Sequence, residues 1–162
     1  IDATLTKGES LDQEKINQLE YISWAIDETT RIRPSADLQM RTVEEPLSMG
    51  SYQLPHGWRV IVNAANSHFM PDVFTDPQRF DPLRWSPERD EGKNPFSIVG
   101  FGGGMHKCTR MNFARNEMTV ITALLLQQFD LELRSPEIHV VYGNGANHPS
   151  PIRVAYRRKA AA

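Results

Sequence analysis

Three consecutive glycines at positions 102–104 come shortly before Cys108, the only cysteine of the 162-residue chain. Glycine has no Cβ, so the backbone here can lie close against another surface and adopt turns that other residues disfavour. A helical pattern of apolar residues begins just after Cys108, which places the sulfur near a helix N-terminus, where amide hydrogens and the dipole favour a thiolate. The segment therefore predicts a loop that presents a thiolate ligand to a flat group.

Two other interpretations of this loop are open from its residues alone. A single cysteine is commonly a small buried hydrophobic residue, and a glycine-rich turn before a helix can bind phosphate. The phosphate interpretation lacks the Gly-Lys-Ser/Thr ending of a P-loop, and no G-x-G-x-x-G sequence follows a strand. Other segments of the chain have to decide between these interpretations.

A Glu-x-x-Arg pair, Glu28 and Arg31, lies upstream in a segment with helical periodicity. Ile22 and Ile26 belong to an apolar stripe that predicts a helix over residues 14–32. Residues three positions apart share a helix face, so the two charged side chains can form an ion pair. Such a pair alone is weak evidence, because most are solvated pairs on a helix surface.

A third segment, Pro82-Leu83-Arg84-Trp85, stands between this pair and the cysteine loop. The order and spacing of the three segments resemble the cytochrome P450 family, which has Glu-x-x-Arg on a helix, then a β region, a Pro-x-Arg-aromatic segment and the loop Phe-x-x-Gly-x-x-x-Cys-x-Gly. The ending of the chain looks most like the sterol 14α-demethylase branch. The resemblance implies a mainly α fold with small β-sheets, the C-terminal part of the cytochrome P450 fold.

The resemblance implies haem b (heme b, iron protoporphyrin IX) as the cofactor, with the Cys108 thiolate as the axial iron ligand. His106 and Arg41 stand where the family has residues that contact the haem propionates. The expected cofactor-binding residues are Phe101, Gly102, Gly104, His106, Cys108 and Arg41.

Two further expectations concern the support of this loop. By the resemblance, Glu28, Arg31 and Arg84 form a buried ion cluster that braces it. The last glycine of the family motif falls on Arg110, where a bulky cation is expected to hinder close approach of haem. If Arg110 abolishes the site, the chain is a structural fragment that binds nothing. A further alternative is a non-catalytic haem-binding or interaction module.

The implied function is that of a haem-thiolate monooxygenase, which inserts one oxygen atom from O2 into a small apolar or sterol-like substrate. Electrons would come from an NADPH-P450 reductase or a ferredoxin that docks on the cysteine-loop side. The cations expected at that docking surface are Lys93, Lys107, Arg110 and Arg115. The possible substrate contacts are Asp37, Gln39 and Asn144.

Composition and length set limits on the other classes of function. A net charge of −2 gives no reason to expect nucleic acid as a partner, and no apolar run approaches the ~20 residues of a membrane span. Residues 1–162 are expected to be one segment that lacks the family's long distal helix and N-terminal part, so that membrane attachment would come only through an absent anchor. The location would be the endoplasmic reticulum membrane in a eukaryote or the cytoplasm in a bacterium, and the chain alone is expected to be inactive.

Periodicity also predicts the remaining elements. A second long helix is predicted over residues 109–128. Strands are predicted at 58–63, 129–133, 139–142 and 152–156, with a turn at 143–145. The proline-rich residues 69–85 are predicted to be short helical turns and loop.

Overall fold

The computed structural model describes residues 10–143 and 146–160 of the chain. Its four α-helices in these ranges are α1 (Gln13–Gln18), α2 (Glu20–Ile32), α3 (Ala64–His68) and α4 (Met111–Gln128). The helix predicted over residues 14–32 is interrupted at Leu19, whose ψ of 50° leaves the helical region and whose amide bonds to the Ile16 carbonyl. The sequence pattern therefore found the helical segment and missed the break within it.

Within the described ranges, eight strands form four separate two-stranded antiparallel sheets. The pairs are β1 (Leu38–Thr42) with β4 (Arg59–Asn63), β2 (Leu47–Met49) with β3 (Tyr52–Leu54), β5 (Phe129–Leu133) with β8 (Val154–Arg158), and β6 (Val140–Val141) with β7 (His148–Pro149). The strand predicted at 129–133 is confirmed, and the one predicted at 152–156 lies two residues later. The predicted class, mainly α with small β-sheets, is also confirmed.

The apolar core lies between α2 and α4. Leu19, Ile22 and Ile26 pack with Ala123 of α4, and all four side chains are buried. Burying such side chains stabilises the fold by ~1.5–3 kcal/mol for each large aliphatic residue. The core therefore fixes α2 against the helix that follows the cysteine.

Helix α4 differs from the expected pattern in the face that it buries. Its existence was inferred from the apolar spacing of Ala114, Met118, Ile121 and Leu125. Ile121 and Leu125 are 51% and 44% exposed, whereas the buried positions of this helix are Thr119, Ala123 and Gln127. The helix prediction is confirmed, but most of its apolar stripe faces outward.

Short 3₁₀ helices connect these elements at Pro82–Trp85, Glu91–Lys93 and Gly104–His106. The first has its proline at the start, where the missing N–H costs nothing, and the Asp81 side chain accepts from the Leu83 amide at 3.2 Å. No helix in the described part of the chain combines the length and apolar character required to span a bilayer.

Candidate cofactor site

The cysteine loop is closed by its own backbone. The Cys108 amide donates to the Phe101 carbonyl at 2.7 Å, and the Met111 amide of the first turn of α4 donates to the Cys108 carbonyl at 3.3 Å. The Cys108 side chain is exposed. The loop therefore holds a free, exposed thiol at the start of a helix, where the positive end of the helix dipole lies.

The three glycines of this loop meet different structural requirements. Gly102 has φ +77°, and a Cβ there would lie 2.4 Å from the His106 carbonyl oxygen. A Cβ on Gly103 would lie 2.8 Å from the Phe96 ring, whereas Gly104 has φ +57° and open space around it. Gly102 and Gly103 are thus needed for the loop to close on itself, and Gly104 leaves the exposed side of the loop free of a side chain.

The two candidate propionate contacts are placed on different elements. His106 is exposed at the end of the 3₁₀ turn Gly104–His106, and Arg41 is half-buried on β1. Arg41 donates to the Met40 carbonyl at 2.8 Å and to Gln39 Oε1 at 3.1 Å, both of which are neutral acceptors. Its positive charge is therefore not neutralised by either of these partners.

A buried ion cluster joins α2 to the 3₁₀ helix Pro82–Trp85. Glu28 accepts from Arg31 through both carboxylate oxygens, with Nε–Oε2 at 2.9 Å and Nη2–Oε1 at 2.8 Å. Arg84 Nε donates to the same Oε1 at 2.9 Å. All three residues have 0% exposure. The structure thus brings together the three charged residues that the sequence placed in separate motifs.

The remaining donors of this cluster are satisfied by backbone carbonyls. Arg31 Nη1 donates to the carbonyls of His68 and Pro77, each at 2.8 Å. Arg84 donates to the carbonyls of Thr75 at 3.0 Å and Arg79 at 3.2 Å. Among the described residues, no buried side-chain nitrogen or oxygen lacks a hydrogen-bond partner. A buried charge that is paired and fully hydrogen-bonded avoids most of its desolvation penalty.

The cluster continues into the segment after Trp85. Glu91 accepts from Arg84 Nη1, and Arg89 bridges Glu91 and Asp81. The Asp81 amide also donates to Glu28 Oε1 at 2.9 Å, so the outer ion pairs are linked back to Glu28. With Glu28, Asp81 and Glu91 against Arg31, Arg84 and Arg89, the six formal charges cancel.

The part played by His68, the last residue of α3, was not recognised from the sequence. This side chain has 0% exposure. Its Nε2 accepts from the Val99 amide at 2.9 Å, so the ring proton lies on Nδ1, which donates to the Arg31 carbonyl at 2.9 Å. Burial lowers the pKa of His68, and the nearby Arg31 guanidinium adds to that direction. No spacing in the sequence signals these partners, because they lie 31 and 37 residues away.

Acidification should therefore destabilise the fold in two stages. The folded-state pKa of His68 is below 6.5, so its contribution is fully present above that pH and is lost as the pH falls. Burial would raise the pKa of Glu28, but hydrogen bonds from Arg31, the Asp81 amide and Arg84 lower it below 4.5, which adds a second loss at more acid pH. Denaturant titrations at pH 7.5, 5.5 and 4 measure both stages. Equal unfolding free energies at pH 7.5 and 5.5 would contradict the histidine stage.

Two of the predicted substrate contacts, Asp37 and Asn144, differ in whether the structure describes them. Asp37 is half-buried and lines a cavity of about 380 Å³ with Phe69, His139 and Tyr142. Asn144, the third predicted substrate contact, lies outside the described residues.

Two expectations need correction. Gln39 was expected to face substrate, but its Nε2 donates to the Val99 carbonyl at 2.7 Å and its Oε1 accepts from Arg41, so both of its polar groups are used within the chain. Arg115 was expected to contribute charge to a docking surface. It forms an ion pair with Asp27 instead, with a second bond to the same carboxylate at 2.8 Å, and this pair neutralises its charge.

Comparisons with known proteins agree with this arrangement. The family model described as "Cytochrome P450" matches residues 1–155. A sterol 14-demethylase of Arabidopsis thaliana is 33% identical over 80% of this chain and 28% of its own length. The (1S)-1-hydroxy-luvungin A synthase of Citrus sinensis is also 33% identical, over 80% of this chain and 26% of its length. Equal identity to two such different enzymes does not distinguish a branch of the family.

Solved structures give the same result for the fold. A retinoic acid-bound cyanobacterial cytochrome, CYP120A1, superposes with a TM-score of 0.84 at 29% identity, over 93% of this chain and 35% of that one. The chain spans about a quarter to a third of the length of the relatives that it matches.

Proposed function

Because the chain belongs to the cytochrome P450 family, whose members are haem-thiolate monooxygenases that use haem b, we propose that it is the haem-ligand portion of such an enzyme. In this proposal residues 1–162 form the C-terminal part of one domain, and the sulfur of Cys108 would hold the haem iron. The observation that carries the proposal is the exposed thiol of Cys108 on a closed glycine loop at the start of α4.

The residues present fit a haem group on this side of the loop. Phe101, Gly102, Gly104 and Cys108 are the residues proposed to face it, and the open space at the Cβ position of Gly104 leaves room for a flat group to approach the backbone. When bound, the haem supplies the iron at which O2 is activated for insertion of one oxygen atom into an organic substrate. His106 and Arg41 are the proposed donors to its propionates, because an imidazole N–H can donate to a carboxylate and the Arg41 guanidinium is bound to neutral acceptors.

The chain's own contribution is to hold the sulfur in place. The closed loop fixes Cys108 at the N-terminus of α4, and a cysteine sulfur bound to the iron would donate electron density to it. The ion cluster of Glu28, Arg31 and Arg84 is proposed to brace this loop and takes no part in the reaction. Its rigidity follows from bidentate pairing and full burial.

Arg110 does not exclude this function at the level of the backbone. Its φ of −100° is accessible to any residue, so the position does not require glycine, and its side chain is exposed. The alternative, a structural fragment that binds no haem, rests on the size of this side chain beside the proposed haem surface.

Substrate and redox partner follow from the family in outline only. P450 enzymes receive electrons from reductases or ferredoxins, and we propose that such a partner docks on the cysteine-loop side. Lys93, Lys107 and Arg110 are exposed there and provide charge for an acidic surface. The proposed substrate is a small apolar or sterol-like molecule, with Asp37 and Asn144 as candidate contacts.

Cys108→Ser in the full-length protein should abolish the red-shifted absorption of the ferrous carbon monoxide complex, because an alcohol cannot replace the thiolate as an electron-rich ligand. The measurement is the difference spectrum at equal haem content. Thr109→Ser is the matched control, since it changes an exposed neighbour by one methyl group and should leave the spectrum unchanged. A serine variant that keeps the thiolate band shows that Cys108 is not the ligand.

A further inference from the structure

Two side chains from distant segments form hydrogen bonds with the backbone of Val99. The Val99 amide donates to Nε2 of His68 at 2.9 Å, and its carbonyl accepts from Nε2 of Gln39 at 2.7 Å. His68 ends α3 and Gln39 lies on β1, so the two elements approach Val99 independently. The backbone N–H and C=O of Val99 are therefore both held by side chains.

Val99 stands at the entrance to the cysteine loop. Its carbonyl also accepts the Gly102 amide at 2.8 Å, which makes the first turn of the loop. The next residue, Gly100, is so close to α2 that a Cβ there would lie 2.8 Å from the side-chain methyl group of Thr30. A displacement of Val99 would therefore move the turn at Gly102 and the loop end that carries Cys108.

Two hydrogen bonds join His68 to Arg31 of the ion cluster. Its Nδ1 donates to the Arg31 carbonyl, and its own carbonyl accepts from Arg31 Nη1 at 2.8 Å. One buried histidine thus lies between Arg31 and Val99: its backbone carbonyl accepts from the guanidinium, and its ring bonds the Arg31 carbonyl and the Val99 amide. In the described part of the chain, no hydrogen bond or ion pair joins Glu28, Arg31 or Arg84 directly to residues 99–108.

We propose that His68 and Gln39 are positioning residues for Cys108. They bind the Val99 backbone from both sides and thereby restrict movement of the cysteine loop relative to the ion cluster. The inference rests on the proposed function in one respect, namely that Cys108 ligates the haem iron. Neither residue touches the iron ligand, so their effect acts through the loop backbone.

The test compares two substitutions of His68, each of which keeps one of the two hydrogen bonds that the ring makes. His68→Gln places an acceptor near the position of Nε2 and can still bind the Val99 amide. His68→Asn keeps a donor near the position of Nδ1 for the Arg31 carbonyl but cannot reach Val99. His56→Asn is the matched control, because His56 is exposed. All variants are made in the full-length, haem-loaded protein.

Hydrogen–deuterium exchange of the peptide covering residues 97–103 is the first readout. Exchange at Val99 should be about tenfold faster in His68→Asn, and close to wild type in His68→Gln and in the control. The fraction of haem with the thiolate carbon monoxide band is the second readout. It should fall in His68→Asn and recover in His68→Gln at equal haem content.

Gln39→Met provides an independent variant at a half-buried site if His68→Asn does not fold. Loss of its bond to Val99 should also accelerate exchange in residues 97–103 and lower the thiolate fraction. Wild-type exchange in Gln39→Met, or equal effects of the glutamine and asparagine variants of His68, overturns the proposal. The exchange readout does not require that Cys108 is the ligand, so failure of the proposed function in Cys108→Ser is recognised separately.

Discussion

Glu28→Ala should lower the free energy of unfolding by about 3–5 kcal/mol, because it leaves two buried guanidinium groups without their carboxylate. Both Arg31 and Arg84 have 0% exposure, and water cannot replace the lost partner without opening the structure. The same variant should fail to retain haem, since the cluster is connected to the cysteine loop through His68. Chemical denaturation and haem content of the full-length protein measure the two effects.

Glu117→Ala is the matched control for this substitution, because Glu117 is exposed on α4. Its stability should stay within about 0.5 kcal/mol of wild type. A loss of less than 1 kcal/mol in Glu28→Ala would mean that the two arginines find other acceptors, and the bracing role would then be refuted.

Gly102→Ala should cost about 2–5 kcal/mol for two separate reasons. Its φ of +77° disfavours any residue with a Cβ by about 1–2 kcal/mol. The new Cβ would also lie 2.4 Å from the His106 carbonyl oxygen, so the loop backbone has to move, and overpacking of this kind costs a further ~1–3 kcal/mol. Because the displaced segment carries Cys108, the thiolate band should weaken at equal haem content.

Gly57→Ala separates the two costs. Gly57 has a similar φ of +83°, and nothing lies within 4 Å of its Cβ position. It should therefore show the conformational cost alone and no change in the haem spectrum. Equal stability losses in the two alanine variants would show that the loop relaxes around the Gly102 side chain without strain.

The sequence was sufficient for the elements whose signal is local. Ile22 and Ile26 predicted the buried face of α2, and alternation predicted β5. The association of Glu28 and Arg31 with Arg84 followed only from the order of motifs in a family, since 53 residues separate Arg31 from Arg84 and no periodicity connects them. Three-dimensional grouping of distant charges is a property of the fold.

The errors have equally physical causes. Alternation on β1 gives two possible directions for each side chain, and Gln39 turned toward the Val99 carbonyl, which accepts from it as well as from the Gly102 amide. Helix α3 is five residues long, too short for a periodic signal. Its last residue, His68, could not be recognised, because a histidine acquires its role from partners that only the folded chain supplies.

The neutral six-charge cluster around Glu28 also separates two responses to ionic strength. Its charges are a few ångströms apart and largely withdrawn from water, whereas screening at physiological salt acts over about 8 Å between exposed groups. Dissolved ions should therefore leave this part of the fold almost untouched while they weaken the attraction between the exposed cations near the loop and the acidic partner proposed above. In that proposal, salt changes the docking of the electron donor without loosening the framework that holds the cysteine.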